Sequence, residues 1–216
     1  MENKILVKTA KVISHPISQL IVQTAMAVSC NPEIIKYSNS IGIVQAEFST
    51  FVNSLISEIQ SNKTIDLEKI NQREVHYFIS NVLKEVYFEE SNEKRNKYRN
   101  LILSSIESTN FDNNLSKEHL ITLTQISEKE MVVLKQSMIL KSDKNGFNNE
   151  FDYWEVFNQF EKRKIFSKEE YQGYINHLIG LGLMNHSQMS LVGGDKSVFS
   201  VTQKGISFFD YIKLGK

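Results

Sequence analysis

The chain has 216 residues, 41% of them hydrophobic, which is enough to bury a sizeable core, and its 25 Lys and Arg are matched by 25 Asp and Glu. The balance holds along the chain, with 12 of each sign before Phe111 and 13 of each from there on, which excludes a strongly basic module that holds nucleic acid by charge alone. Two prolines, nine glycines and no low-complexity tract argue against a long disordered linker. A single cysteine, Cys30, excludes an intramolecular disulfide and makes a reducing, cytoplasmic setting the expectation.

No residue between Lys11 and Glu33 is charged. Length alone would allow a bilayer span, but Ser14, Ser18, Gln19, Gln23, Thr24 and Ser29 make the stretch too polar for one. It predicts a buried helix from about Ile17 to Ser29, with Leu20, Ile21, Ala25 and Val28 as its apolar face; the alternative is a membrane-acting segment over Val12 to Asn31. Phe48, Phe51, Val52, Leu55, Ile56 and Ile59 then form one apolar stripe at helical spacing, and Val75, Phe78, Ile79, Val82, Leu83 and Val86 a second. Packed together with the first helix they predict an N-terminal helical bundle, or a homodimer if one chain cannot bury both stripes. A further helix is expected from Ser91, with Tyr98, Leu101, Ile102 and Ile106 inward. Its Arg95 and Arg99, four residues apart, read as a solvated face, with a small anion-binding pair as the alternative.

The second domain is expected to begin at residue 111, giving a bundle over 1–110 and a winged-helix domain over 111–216. Ser127 and Glu130 form an S-x-x-E capping box for a helix from Glu128 to Leu140, buried on Met131, Leu134 and Met138. A loop over Ser142 to Glu150 and a helix over Phe151 to Lys164 follow, the latter rich in aromatics. These aromatics are expected to join the two subdomains; an exposed Tyr153 or Trp154 beside a groove would instead mark a protein contact. Ser167 and Glu170 repeat the capping box, opening a helix that carries Tyr171, Ile175, Leu178 and Ile179 and stops near Leu181, where Gly180 and Gly182 cluster. Leu183-Met184 starts a strand, the Gly193-Gly194-Asp195 tip turns it, and Ser197 to Val201 returns as the wing. Thr202 caps a closing helix with Ile206, Phe209, Tyr211 and Ile212, in which Gly205 is tolerated.

This order places a recognition helix beside a wing. Candidate contacts for nucleic acid or a partner protein are Lys168, Gln172, Asn176 and His177 on the helix and Lys196 on the wing. The basic run Lys162-Arg163-Lys164 reads first as a favourable helix C-terminus and second as a phosphate contact. Glu169 and Glu170 oppose DNA at the helix start. No phosphate-loop, dinucleotide-binding, zinc-protease or nucleophile-elbow motif is present, and His15, His76, His119, His177 and His186 lack metal-ligand spacing. Accordingly no catalytic residue, cofactor or metal is expected; Cys30 has no partner histidine that would make it a nucleophile.

Three segments together resemble a known family: K-R-N-K-Y-R-N-L-I-L from Lys94, L-I-T-L-T-Q-I-S-E-K-E from Leu120, and G-L-M at Gly182 with F-S-V-T-Q-K-G-I-S-F-F-D-Y-I from Phe199. Over roughly Gln72 to Lys213 the chain resembles the Abi-alpha type of abortive-infection-associated proteins of bacteria and phages. The resemblance implies a helical region before a winged-helix-like end and a role in phage and host conflict, with no catalytic residues to transfer. The expectation is therefore a mainly α, non-enzymatic protein that binds another protein in phage defence. A sequence-specific DNA-binding regulator and a membrane-acting effector are the alternatives.

Overall fold

The computed structural model describes residues 16–31, 41–61, 72–107, 111–143, 150–162, 165–191 and 194–213. The chain divides into two compact units, Met1–Thr124 and Gln125–Lys216. The protein is mainly helical, with a small antiparallel sheet that among the described residues lies in the second unit.

The first unit contains α1 (Pro16–Ser29), α2 (Ile41–Ser61), α3 (Gln72–Phe88), α4 (Asn92–Glu107) and α5 (Asn113–Gln125). Pro16 opens α1, at a position whose backbone N–H would have no helical partner in any case. Helix α1 packs mainly on α3 and also on α2, burying Ile17, Ile21, Val22, Ala25 and Val28. Ile21, Ala25 and Val28 of its expected apolar face are therefore spent on the bundle, while residues 12–15 lie outside the described residues; among the described residues no helix is long and apolar enough to cross a membrane. All twelve residues of the two apolar stripes are buried within the one chain. At about 1.5–3 kcal/mol for each large side chain removed from water, these stripes supply a large part of the unit's apolar burial.

Local hydrogen bonds set where the later helices start. Ser91 Oγ accepts the N–H of Lys94 at 3.1 Å to open α4, and Asp112 Oδ1 accepts those of Asn114 and Leu115 at 2.9 and 3.0 Å to open α5. The division between units falls after α5, later than the composition suggests. Ser116 of α5 donates its hydroxyl to Ser105 of α4 at 3.0 Å in a buried contact, and the Phe111 ring lies 5.6 Å from that of Phe78. These contacts attach α5 to the helices that precede it.

The solvated-face expectation for Arg95 and Arg99 does not hold, because α2 presents carboxylates to both. Arg95 is buried, with Nη1 2.7 Å from Glu47 Oε2; Arg99 places Nε 3.2 Å from Glu58 Oε2 and donates from Nη1 to Ser54 Oγ at 2.9 Å. Sequence shows only spacing along α4, whereas the ion pairs come from a helix about 45 residues earlier.

The second unit contains α6 (Glu128–Asp143), β1 (Glu150–Asp152), α7 (Tyr153–Glu161), α8 (Lys168–Gly180), β2 (Met184–Leu191), β3 (Gly194–Val201) and α9 (Gln203–Tyr211). The sheet order is β1-β3-β2, all antiparallel, with Phe151 opposite Phe199 and His186 opposite the same Phe199. A helix, a short strand, two helices and a hairpin whose second strand pairs with the short one make a winged helix.

Two expectations are corrected here. Phe151 and Asp152 belong to a strand, so the helix spans Tyr153 to Glu161 and not Phe151 to Lys164; three residues become a strand only because β3 supplies the ladder. In the hairpin, Gly194 pairs with Leu191 and Asp195 with Ser190, so both are ladder residues and not the tip. Gly193 lies outside the described residues.

Candidate functional site

The recognition helix α8 starts with both halves of the capping box formed. Glu170 N–H donates to Ser167 Oγ at 3.2 Å, and Ser167 N–H donates to Glu170 Oε2 at 2.9 Å. That backbone N–H holds the Glu170 carboxyl below its ordinary value, and Lys129 at 3.5 Å adds to the effect. A hydrogen bond with Tyr174 and the charge of Glu170 in turn push Lys129 upward.

Tyr171, Ile175 and Leu178 form the buried face of α8. The Tyr171 ring lies 5.5 Å from Phe157 and 5.8 Å from Phe160, and Phe160 stands 4.9 Å from Phe166. Phe157 and Phe160 of α7 thereby seat α8 within its own unit. The side chains of Tyr153 and Trp154 lie outside the described residues.

The C-terminal end of α8 is locked by the closing motif. Gly182 has φ +71°, a left-handed conformation suited to glycine, and its carbonyl accepts from the Thr202 hydroxyl at 2.7 Å. The same hydroxyl accepts the N–H of Gly205 at 2.9 Å, capping α9. Thr202 N–H donates to the Leu183 carbonyl at 3.0 Å. Gly205 is required here and not merely tolerated: a Cβ would fall on the Leu183 carbonyl oxygen and stand 2.8 Å from Val201 Cγ1. The V-T-x-x-G sequence thus ties the end of α8 to the start of α9.

The outward face of α8 carries Lys168, Glu169, Gln172, Gly173, Asn176, His177 and Gly180 as exposed residues. Gln172 and Asn176, expected separately as contacts, are joined by a hydrogen bond from Gln172 Nε2 to Asn176 Oδ1 at 3.1 Å. His177 is half-exposed, and its Nδ1 sits 2.5 Å from Oε1 of the buried Glu130 on α6. That partner was missed, since Glu130 reads from sequence only as the second half of a cap, which it also is. Lys162 is exposed just past α7. Arg163 and Lys164 lie outside the described residues. Lys196 lies in β3 opposite Met189, but its side chain is likewise not described.

This face can offer amides, one ammonium, one imidazole and carboxylates to a macromolecule. Among the described residues no group of three or more His, Cys, Asp or Glu is placed to hold a metal ion. Comparison with protein-family models, with curated proteins and with solved structures finds no match to this chain.

Proposed function

We propose that this chain is a non-enzymatic binding protein whose winged-helix unit docks another protein through the outward face of α8. One observation carries the reading. The first turn of α8, where a helix would approach a phosphate, holds Glu169 and Glu170, and Glu170 already occupies the Ser167 N–H. The unit as a whole has 12 Lys and Arg against 11 Asp and Glu, so it lacks the charge excess that drives binding to a polyanion. The likeness of its closing motif to Abi-alpha proteins supports placing the interaction in phage defence or phage and host conflict.

A second reading, a sequence-specific DNA-binding regulator, is favoured by Gln172 and Asn176. Their amides, one helical turn apart on the exposed face, are of the kind that read adenine in the major groove. Capture of partners from phage-infected and uninfected bacterial extracts by the full chain, beside duplex-DNA binding across a salt series, separates the two. Protein capture lost on Gln172→Ala with Asn176→Ala, without salt-dependent DNA binding, supports docking. Tight DNA binding lost in the same variant replaces it with the DNA reader.

A further inference from the structure

We propose that the groove between α2 and α4 in the first unit binds a phosphate-bearing small molecule of mononucleotide size. Asn92, Arg95, Asn96 and Arg99 recur on α4 at i, i+3, i+4 and i+7, and the facing turns of α2 supply Glu47 and Ser54. Two packed helices usually exchange apolar side chains at that spacing, as the stripes of α2 and α3 do. Here the positions are polar and line a cavity of about 440 Å³, within the range of ligand pockets and far larger than a bare phosphate needs.

The hydrogen-bonding groups left over in this groove are mostly donors. Arg95 uses Nη1 for Glu47 and for Asn92 Oδ1 at 3.3 Å, while Arg99 uses Nη1 for Ser54; its Nε lies near Glu58 without forming a hydrogen bond, and Arg95 Nε is likewise unused among the described residues. A guanidinium has five N–H groups, so each arginine retains others. The carboxamide of Asn96 has no partner among the described residues, and Ser54, having accepted from Arg99, keeps its own proton to donate.

The acceptor facing these donors is replaceable. The Glu47 side chain is 43% exposed while that of Arg95 is 7% exposed, so the carboxylate can return to water while the guanidinium cannot. An incoming carboxylate would only repeat what Glu47 already does. A phosphate brings more charge and three terminal oxygens, enough to meet Arg95, Arg99 and Asn96 together. Phe51 and Ala46 line the remaining space and would take the organic part of the ligand.

The test is calorimetric titration of the full chain at low salt with adenosine 5′-monophosphate, ribose 5-phosphate and inorganic phosphate. Expected is tighter binding of the two organic phosphates than of inorganic phosphate, weakened about tenfold by R99Q and strengthened severalfold by E47Q, which frees Arg95 of its counter-charge. Asn96→Ala removes an exposed side chain that holds no hydrogen bond among the described residues, so it tests the groove with little effect on the fold and should weaken binding severalfold. No binding by any of the three, equal binding of all three, or binding unchanged in both R99Q and Asn96→Ala overturns the proposal.

Discussion

Glu130 joins the recognition helix to the helix beneath it: Oε1 lies 2.5 Å from Nδ1 of His177, while Oε2 accepts both the N–H and the hydroxyl of Ser127 at 2.7 Å. Its side chain is 7% exposed, so one carboxylate caps α6 and also fixes where the half-exposed His177 stands on α8. The exposed face of α8 is thereby referenced to the core of its own unit.

Glu130→Ala should therefore destabilise the second unit by about 1–3 kcal/mol, because it removes a cap and an acceptor at once. His177→Ala should cost less, and the double variant should show coupling of about 0.5 kcal/mol or more. Urea unfolding of the four proteins in the cycle checks this, and purely additive effects would show that the contact carries no energy.

Two glycines should respond in opposite directions. Gly205→Ala drives a methyl group into the Leu183 carbonyl and should cost about 2 kcal/mol or more. Gly173→Ala, with nothing within 4 Å of the new methyl, should stabilise α8 by about 0.5–1 kcal/mol through helix propensity. Thermal or denaturant melts of both variants measure the contrast.

The two ion pairs of α4 should differ in cost. Glu47→Ala leaves a buried guanidinium without its carboxylate and should destabilise the first unit by about 1–3 kcal/mol. Glu58→Ala should cost about 0–1 kcal/mol, since Arg99 is partly solvated and keeps Ser54. Denaturant midpoints of the two variants decide the order.

Alkaline pH should weaken the fold through Tyr98. Burial, assisted by Glu85 and Glu89, pushes its phenol well above the ordinary value, so the folded state holds the proton more tightly than the unfolded chain. The stability linked to this group is complete below about pH 10 and declines as pH rises from there toward the folded value. Tyr98→Phe should flatten the fall in stability above about pH 10, as read from denaturant midpoints.

Much of the architecture was legible because it rests on local chemistry. The stripes headed by Phe48 and Val75, the capping boxes Ser127/Glu130 and Ser167/Glu170, and the stop near Leu181 all depend on residues within a few positions of one another. Helical periodicity and capping are short-range, so the linear sequence contains both partners. The exposed amides Gln172 and Asn176 were legible as outward residues for the same reason, being off the Tyr171, Ile175 and Leu178 face.

The remaining features were decided by groups far apart in the chain. Strand β1 exists because Phe199 and its neighbours arrive to pair with it. Gly205 is needed because the carbonyl of Leu183 occupies the space a side chain would take. Arg95 is buried because α2 brings Glu47 to it, and His177 is held because α6 brings Glu130. By itself the sequence determined most of the helical segments, where the capped ones begin and which faces are apolar, since propensity, periodicity and capping act within a turn or two. Only the tertiary structure decided the third strand, the close glycine contact and the pairing of buried charges. Those depend on what a distant segment places within hydrogen-bond reach, and spacing along one chain segment does not encode that.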